Sequence, residues 1–437
     1  MAASPKRTAP YKHVDRVEVH LWDHLVGVVA LDPAYGFYAF RFTPQFQALG
    51  IDPSPLQMPV REDRTFLFTD LPESTYKRLP AMLADAMPDD FGNALIDRWM
   101  ADRGLSPREV TPLDRLAYMG NRAMGALQFK PVRGPTHEKP IAIELGALVE
   151  EAREAVAGRI AGDDETQAAL GSIIEVGTSA GGARAKAVIA WNRETDKIRS
   201  GQMSVPRGFE HWLLKFDGMG RDSELGATQD YGRIEYAYHL MARRAGIDMM
   251  ESRLLLENGR AHFMTRRFDR EDGDLRHHVQ SLCAMDHLDY RKKGTNAYSQ
   301  LFSVAVRLNL LYKDKEEIFR RMAFNAMVRN CDDHTKNFSF RLRQNHAWEL
   351  APAYDVTFAH NPLGEWTNRH LQSINGKFEG FQREDFLTEA ERFGVGTAKR
   401  VLEQVRAAVK EWPQFAGEAG LSQVATHFIG DQLAPLE

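Results

Sequence analysis

Apolar and polar residues alternate over Val17-Glu18-Val19-His20-Leu21 and again over Phe37–Phe42, which predicts two strands near the start of the chain. Between Tyr76 and Met100 the apolar spacing turns helical, through Leu79, Met82, Leu83, Ala86, Phe91, Leu95, Ile96 and Trp99, with Pro88 dividing the run in two. Pro131 to Pro140 is polar and proline-rich and reads as a linker. A helix is expected from Ile141 to Ala157, then a loop of small residues from Val176 to Lys186. Strands follow at Ala187–Trp191 and His211–Phe216, and a helix at Tyr231–Ile247 with Ile234, Tyr238, Met241 and Ala245 on one stripe. Asn258-Gly259 between Arg253–Leu256 and His262–Thr265 is a hairpin signal. Downstream, helices are predicted at Leu301–Leu311, Lys315–Arg329, Arg383–Phe393 and Val395–Trp412. Phe338–Leu342 alternates as a strand, Gln344-Asn345-His346 suits a turn, and Ala347–Leu350 suits the return strand.

The order is therefore strands around a glycine loop, then mostly helices. Composition permits a large core: 437 residues, 43% hydrophobic, enough for two or three domains. A formal charge of −4 gives no general argument for nucleic-acid or membrane binding. Cys283 and Cys331 form no CxxC pair, which argues against structural disulfides and zinc. No apolar run is long enough to cross a bilayer, and Met1 to Lys12 has no apolar core of a signal peptide, so a soluble cytoplasmic protein is expected.

The densest candidate chemistry is Asp332-Asp333-His334-Thr335-Lys336-Asn337, followed beyond the hairpin by Tyr354-Asp355. Carboxylate and amide oxygens are hard ligands suited to Mg²⁺, which is usually held by one or two carboxylates plus substrate phosphates. An Asp five residues before an Asn is also the spacing of the protein-kinase catalytic loop, where the Asp accepts the substrate proton and the Asn binds metal. The hairpin would set Asn337 beside Asp355. The competing reading is a surface loop rich in Asp and Asn, since short spacings recur by chance.

Gly177, Gly181 and Gly182, with Ser179 among them, form a loop whose backbone N–H groups could approach phosphate oxygens. It is not a Walker A sequence, because the Lys-[Ser/Thr] ending is missing and a strand follows. Lys215 on the next strand would reach a phosphate, with Glu235 of the following helix as its partner; a solvated strand lysine and a solvated helix face are the alternatives.

With these residues in place, the chain resembles HipA-type serine/threonine kinases, the toxin half of bacterial toxin–antitoxin pairs. Asp332–Ser339 is similar to the family's D-G-H-x-K-N-F-S, and Tyr354-Asp355 to its following Y-D. Ser179–Lys186 resembles its S-x-x-G-A-x-x-K loop, and Arg267–Arg270 its R-F-D-R segment. Met87-Pro88-Asp89 resembles its L-P-D helix, and Gly120 through Leu127 its G-x4-G-A element. The resemblance implies an α+β, protein-kinase-like bilobal fold, with a sheet-rich small lobe (141–270), a helical large lobe (271–437) and an extra N-terminal α/β subdomain (1–133). It implies Asp332 as catalytic base and Lys336 as a group steadying the transferred phosphate. Asn337 and Asp355 are the implied Mg²⁺ ligands. ATP would be held by Lys215, by Ser179, Gly181 and Gly182 of the loop, by His334, and by a hinge at Arg266 to Phe268, with Asp269 on the ribose. Ser179 is the implied regulatory autophosphorylation site.

Two positions depart from the family pattern. Asp333 replaces the usual Gly, adding a carboxylate near the metal ligands, and Arg266 stands where some members are acidic. The implied partners are a protein substrate, with a translation-related target such as an aminoacyl-tRNA synthetase, and a DNA-binding antitoxin. Nucleic acid would be bound only through that antitoxin, since the chain shows no helix-turn-helix or zinc finger of its own. A small-molecule or lipid kinase on the same scaffold, and a non-catalytic antitoxin partner, are the competing classes; phosphate transfer from ATP separates the last from the others.

Overall fold

The computed structural model describes residues 10–88, 90–135, 185–201, 205–217, 230–271 and 275–436. The expected helix at 141–157 and most of the small-residue loop, including Ser179, Gly181 and Gly182, lie outside them.

The N-terminal unit is built on an antiparallel sheet ordered β3-β2-β1-β4, from Arg16–Leu21 (β1), His24–Asp32 (β2), Phe37–Phe42 (β3) and Leu127–Lys130 (β4). Val17, Val19 and Leu21 point into the core while Arg16 and Glu18 face out, as alternation requires. Trp22 and Asp23 link β1 to β2 with φ of 49° and 65°, the left-handed pair that a tight hairpin uses. β2 was not expected, because His24–Asp32 is nearly continuous in apolar residues and lacks a period of two. Its Gly27 lies against β3, where a Cβ would sit 2.2 Å from the Arg41 carbonyl oxygen. The run expected as two helices is broken once more, at Lys77 and Arg78, both left-handed; helices form at Ala81–Asp85 and Asp90–Ala101 on either side of Pro88.

A second antiparallel sheet is ordered β6-β5-β7-β9-β8, from Lys186–Asn192 (β5), Lys197–Ser200 (β6), Glu210–Lys215 (β7), Ser252–Glu257 (β8) and Arg260–Arg266 (β9). β8 and β9 turn at Asn258-Gly259, with φ of 44° and 79°, as the dipeptide predicts. The helix Tyr231–Arg244 crosses this sheet with its first turn tight against β9, where a Cβ on Gly232 would lie 2.0 Å from the Ala261 carbonyl oxygen. Only glycine allows that approach, which brings Glu235 onto the sheet.

The remaining chain is mainly helical. Helices Tyr298–Arg307, Tyr312–Met327, Arg383–Phe393 and Ala398–Lys410 enclose Leu301, Phe302, Phe319, Met322, Val401 and Val405, all without solvent exposure. The last expected helix ends earlier than predicted, at Lys410, and a separate helix runs Trp412–Glu418. Set into this half is a three-stranded sheet of His278–Ser281, Ser339–Leu342 and Trp348–Leu350. The N-terminal unit docks on it: the Asp85 carboxylate accepts from the Ser281 backbone N–H at 2.6 Å and from its hydroxyl at 2.7 Å. The fold is α+β and two-lobed, a sheet-rich lobe against a helical one, with the N-terminal unit added to both.

Candidate active site

The Asp332–Asn337 segment leaves the helix Tyr312–Met327 through Arg329, whose φ of 57° ends the helical path. Cys331 N–H donates to the Ala359 carbonyl at 2.9 Å, and a short 3-10 turn then forms over Thr335–Asn337. The Asn337 side-chain NH₂ donates to the Asp332 carbonyl oxygen at 2.8 Å. The amide oxygen is then the atom of Asn337 left to bind a ligand. The hairpin returns the chain as expected, with Phe340 opposite Leu350. Tyr354 fastens the return: its hydroxyl donates to the Lys336 carbonyl at 2.7 Å and meets Ser339 Oγ at 2.5 Å. Asn337 and Asp355 consequently line the same cavity, together with Asp333 and Tyr354. Asp355 adopts φ +53°, a left-handed backbone that Asp and Asn take more readily than most residues other than glycine.

From the sheet side, Lys215 of β7 reaches into the same place. Its ammonium bonds Glu235 Oε1 at 2.6 Å and also the Asp355 carboxylate. Lys186 of β5 lies directly opposite Lys215 in register. Like charges across a strand pair repel, so the two carboxylates offset a local excess of positive charge. Burial would push Lys215 down, but Asp355 and Glu235 carry its pKa above the ordinary lysine value. Burial opposes ionisation of Asp355 too, and Lys215 and then Lys186 override it, holding the carboxyl below the usual range.

Asp332 has a different environment. Its side chain is 38% exposed; its Oδ1 accepts from the Trp366 indole N–H at 2.7 Å, with His334 Nε2 at 3.7 Å. Burial raises its pKa, and the charges of Asp355 and Asp333 add to this against His334 and Trp366. One carboxylate is held ionised by lysines while its neighbour is made more basic. That separation suits a metal ligand beside a proton acceptor.

The structure engages several of these residues elsewhere. Asp333, whose direction is open in the sequence, is buried, its carboxylate accepting from Tyr298 Oη at 2.9 Å, His370 Nδ1 at 2.9 Å and the Leu371 N–H at 2.7 Å. Asp269 is not available to a ribose. Its carboxylate has no solvent exposure and is taken by Arg267, by Arg270 and by the Gly125 N–H at 2.7 Å, which hold its carboxyl far below the ordinary range despite burial. At the expected hinge, the N–H groups of Arg266 and Arg267 already donate to Glu251 and His211, and the Phe268 carbonyl accepts from Arg341 at 2.8 Å. The Phe268 ring stacks on Tyr354 at 5.7 Å, and the Arg266 side chain lies 3.6 Å from Glu210. The Lys336 ammonium lies 5.2 Å over the Tyr290 ring with Asp85 and Cys283 as electrostatic neighbours, and makes no side-chain hydrogen bond or ion pair among the described residues.

Lys186 and Trp366 were not assigned roles from the sequence. Lys186 was visible as the last residue of the small-residue motif. Trp366 had no local signal.

Among the described residues no three His, Cys, Asp or Glu side chains gather to hold a metal. The donors present are the Asn337 amide oxygen and the Asp355 carboxylate, both hard oxygens. They suit Mg²⁺, which takes few protein ligands and completes its shell with phosphates and water. Asp355→Ala is therefore expected to weaken Mg·ATP binding more than adenosine binding. Calorimetry with both ligands checks this, and equal losses would remove Asp355 as a metal ligand.

Two family models match the chain. The HipA N-terminal domain matches residues 17–130 and the HipA-like C-terminal domain matches residues 178–412. Among solved structures, the chain is similar to HipA in the Shewanella oneidensis MR-1 complex of HipA, HipB and operator DNA. Identity there is 17%, coverage 95% of this chain and 94% of that one, and the TM-score 0.65, a likeness of fold. The Helicobacter pylori proinflammatory kinase CtkA also matches, at 13% identity over 51% of this chain and 84% of that one, with a TM-score of 0.34. The C-terminal model alone spans more than half of the chain, and the chain belongs to the HipA family.

Proposed function

We propose that the chain is an ATP-dependent serine/threonine protein kinase of HipA type, the toxin of a toxin–antitoxin pair. The observation that carries this is the convergence of Lys215, Glu235 and Asp355 with the loop holding Asp332 and Asn337. In this reading Lys215 exchanges its bond to Asp355 for an ATP phosphate while Glu235 keeps the ammonium in place. Asn337 and Asp355 would hold Mg²⁺, which would supply positive charge to offset that of the phosphates. Asp332 accepts the proton of the substrate hydroxyl as the γ-phosphoryl is transferred. Phosphoryl transfer asks for positioning and charge stabilisation more than covalent chemistry, and this set of residues supplies both.

The family supports a protein substrate with a translation-related target such as an aminoacyl-tRNA synthetase, and growth arrest as the outcome. The neighbouring structure, a complex with HipB and operator DNA, supports a DNA-binding antitoxin partner; that nucleic acid is reached only through the antitoxin is part of the proposal. No described helix is long and apolar enough to cross a membrane; a cytoplasmic setting is part of the proposal. The proposal is tested by comparing the phosphoproteomes of cells expressing the wild type and Asp332→Asn. Serine or threonine sites phosphorylated only with the wild type are expected; identical phosphoproteomes would remove the kinase reading.

Ser179 is the proposed autophosphorylation site, in a loop whose Gly181 and Gly182 would lie over the ATP phosphates. A phosphate there adds about −1.5 to −2 charge. Like charges 4 Å apart at an effective dielectric near 20 repel by about 4 kcal/mol. Intact-mass measurement after incubation with Mg·ATP is expected to show one added phosphate on Ser179, and Ser179→Asp to bind ATP more weakly. An unmodified wild type together with an unchanged affinity in the variant would make Ser179 structural.

A further inference from the structure

Between Asp355 and His370 the chain makes a polar loop, and one large aromatic side chain in it is used in an unusual way. The loop is closed by the Asn361 N–H on the Thr367 carbonyl at 3.3 Å and the Gly364 N–H on the Asn361 carbonyl at 3.0 Å. It is tied to a neighbouring segment by Lys293 Nζ, which donates to the Glu365 carbonyl at 2.5 Å. Thr367 is buried, whereas Trp366 before it is only half-buried. The Trp366 indole N–H is spent on Oδ1 of Asp332, 34 residues away, at 2.7 Å. Its ring centroid lies 6.3 Å from that of His334, whose Nε2 is 3.7 Å from the same carboxylate oxygen.

An indole N–H only donates. It cannot take a proton from Asp332 and so cannot compete with it as a base. A donor to one carboxylate oxygen favours the ionised form and fixes the carboxylate plane. With Oδ1 engaged, Oδ2 is the oxygen open to an incoming hydroxyl. We infer that Trp366 is a positioning residue for the acceptor step, holding Asp332 so that its second oxygen meets the substrate hydroxyl. The inference rests on the kinase reading of Asp332. The O–H bond of the acceptor breaks, its proton passes to Asp332 Oδ2, and the acceptor oxygen forms the bond to the γ-phosphorus as the bond to ADP breaks.

The test compares the purified wild type with Trp366→Phe, which keeps a ring and deletes the donor, and with Asn368→Ala, an exposed control in the same loop. Transfer from radiolabelled ATP to a peptide library carrying serine or threonine acceptors is followed at varied ATP and peptide. Loss of a hydrogen bond to a charged group should lower kcat about tenfold in Trp366→Phe, with KM for ATP unchanged and Asn368→Ala like the wild type. The indole N–H resonance of Trp366, assigned by its loss in Trp366→Phe, should also move in Asp332→Asn, which a merely packed ring would not require. A wild-type kcat in Trp366→Phe, or an indole resonance indifferent to Asp332→Asn, overturns the inference and leaves the kinase reading standing. A wild type that transfers no label overturns both.

Discussion

Asp332→Asn is expected to bind Mg·ATP about as well as the wild type and to transfer phosphate about 10²–10⁴-fold more slowly, the range for losing a general base. The substitution keeps the size of the side chain and an oxygen that accepts from the Trp366 indole, so the loop should hold its path. What is lost is an acceptor for the hydroxyl proton at the moment of transfer. The environment of Asp332 makes this loss specific. Burial and the nearby charges of Asp355 and Asp333 raise its carboxyl above the ordinary range, so it accepts protons more readily than a free aspartate. The phosphate-side residues Lys215, Glu235 and Asp355 are untouched, and calorimetric affinity for Mg·ATP should show that. Single-turnover rates near those of the wild type would remove Asp332 as the base.

Asp333→Ala should have the largest effect on stability, a loss of about 3–5 kcal/mol, as for breaking a buried charge pair. Its carboxylate is the common acceptor for Tyr298, His370 and the Leu371 N–H, and all three lie in the interior of the helical lobe. Truncation would leave an imidazolium, a phenol and an amide without that partner in a place water does not reach. Burial favours neutral His370, but Asp333 overrides it and raises the imidazole from its ordinary 6.5 to about 10. A folded pKa above the unfolded one means that the His370 contribution is fully present below about pH 6.5. It is lost as the pH rises through about 10. Urea unfolding of the wild type and His370→Gln should therefore differ most below about pH 6.5, and the difference should shrink as the pH rises toward 10. An Asp333→Ala midpoint equal to the wild type would show that the network does not hold the loop.

What could be read from the sequence was whatever local spacing determines. The hairpin after Asn337 and the Asn258-Gly259 turn depend on residues a few positions apart, and both form where alternation and turn chemistry put them. Lys215 and Glu235 were paired from strand and helix order alone, and they meet at 2.6 Å. The failures share a cause. Asp269 was assigned to a ligand because its motif is local, but the Gly125 N–H that captures it is 144 residues away. The direction of Asp333 is not legible in the sequence because His370 and Tyr298, which set it, are 37 and 35 residues distant on opposite sides. β2 escapes sequence reading for another reason: apolar residues also fill its exposed positions, Leu25 and Leu31 among them, so it lacks the alternation that marks an amphipathic strand.

The central claim is that this chain moves a phosphoryl group from ATP to a protein hydroxyl, and transfer of label from γ-labelled ATP tests it most directly. Purified wild type is incubated with Mg·ATP and a serine/threonine peptide library, beside Asp332→Asn and a sample without Mg²⁺. The account predicts acid-stable label on serine or threonine with the wild type, and little or none in the other two. Absence of label from wild type that binds Mg·ATP, or equal labelling by Asp332→Asn, would contradict it.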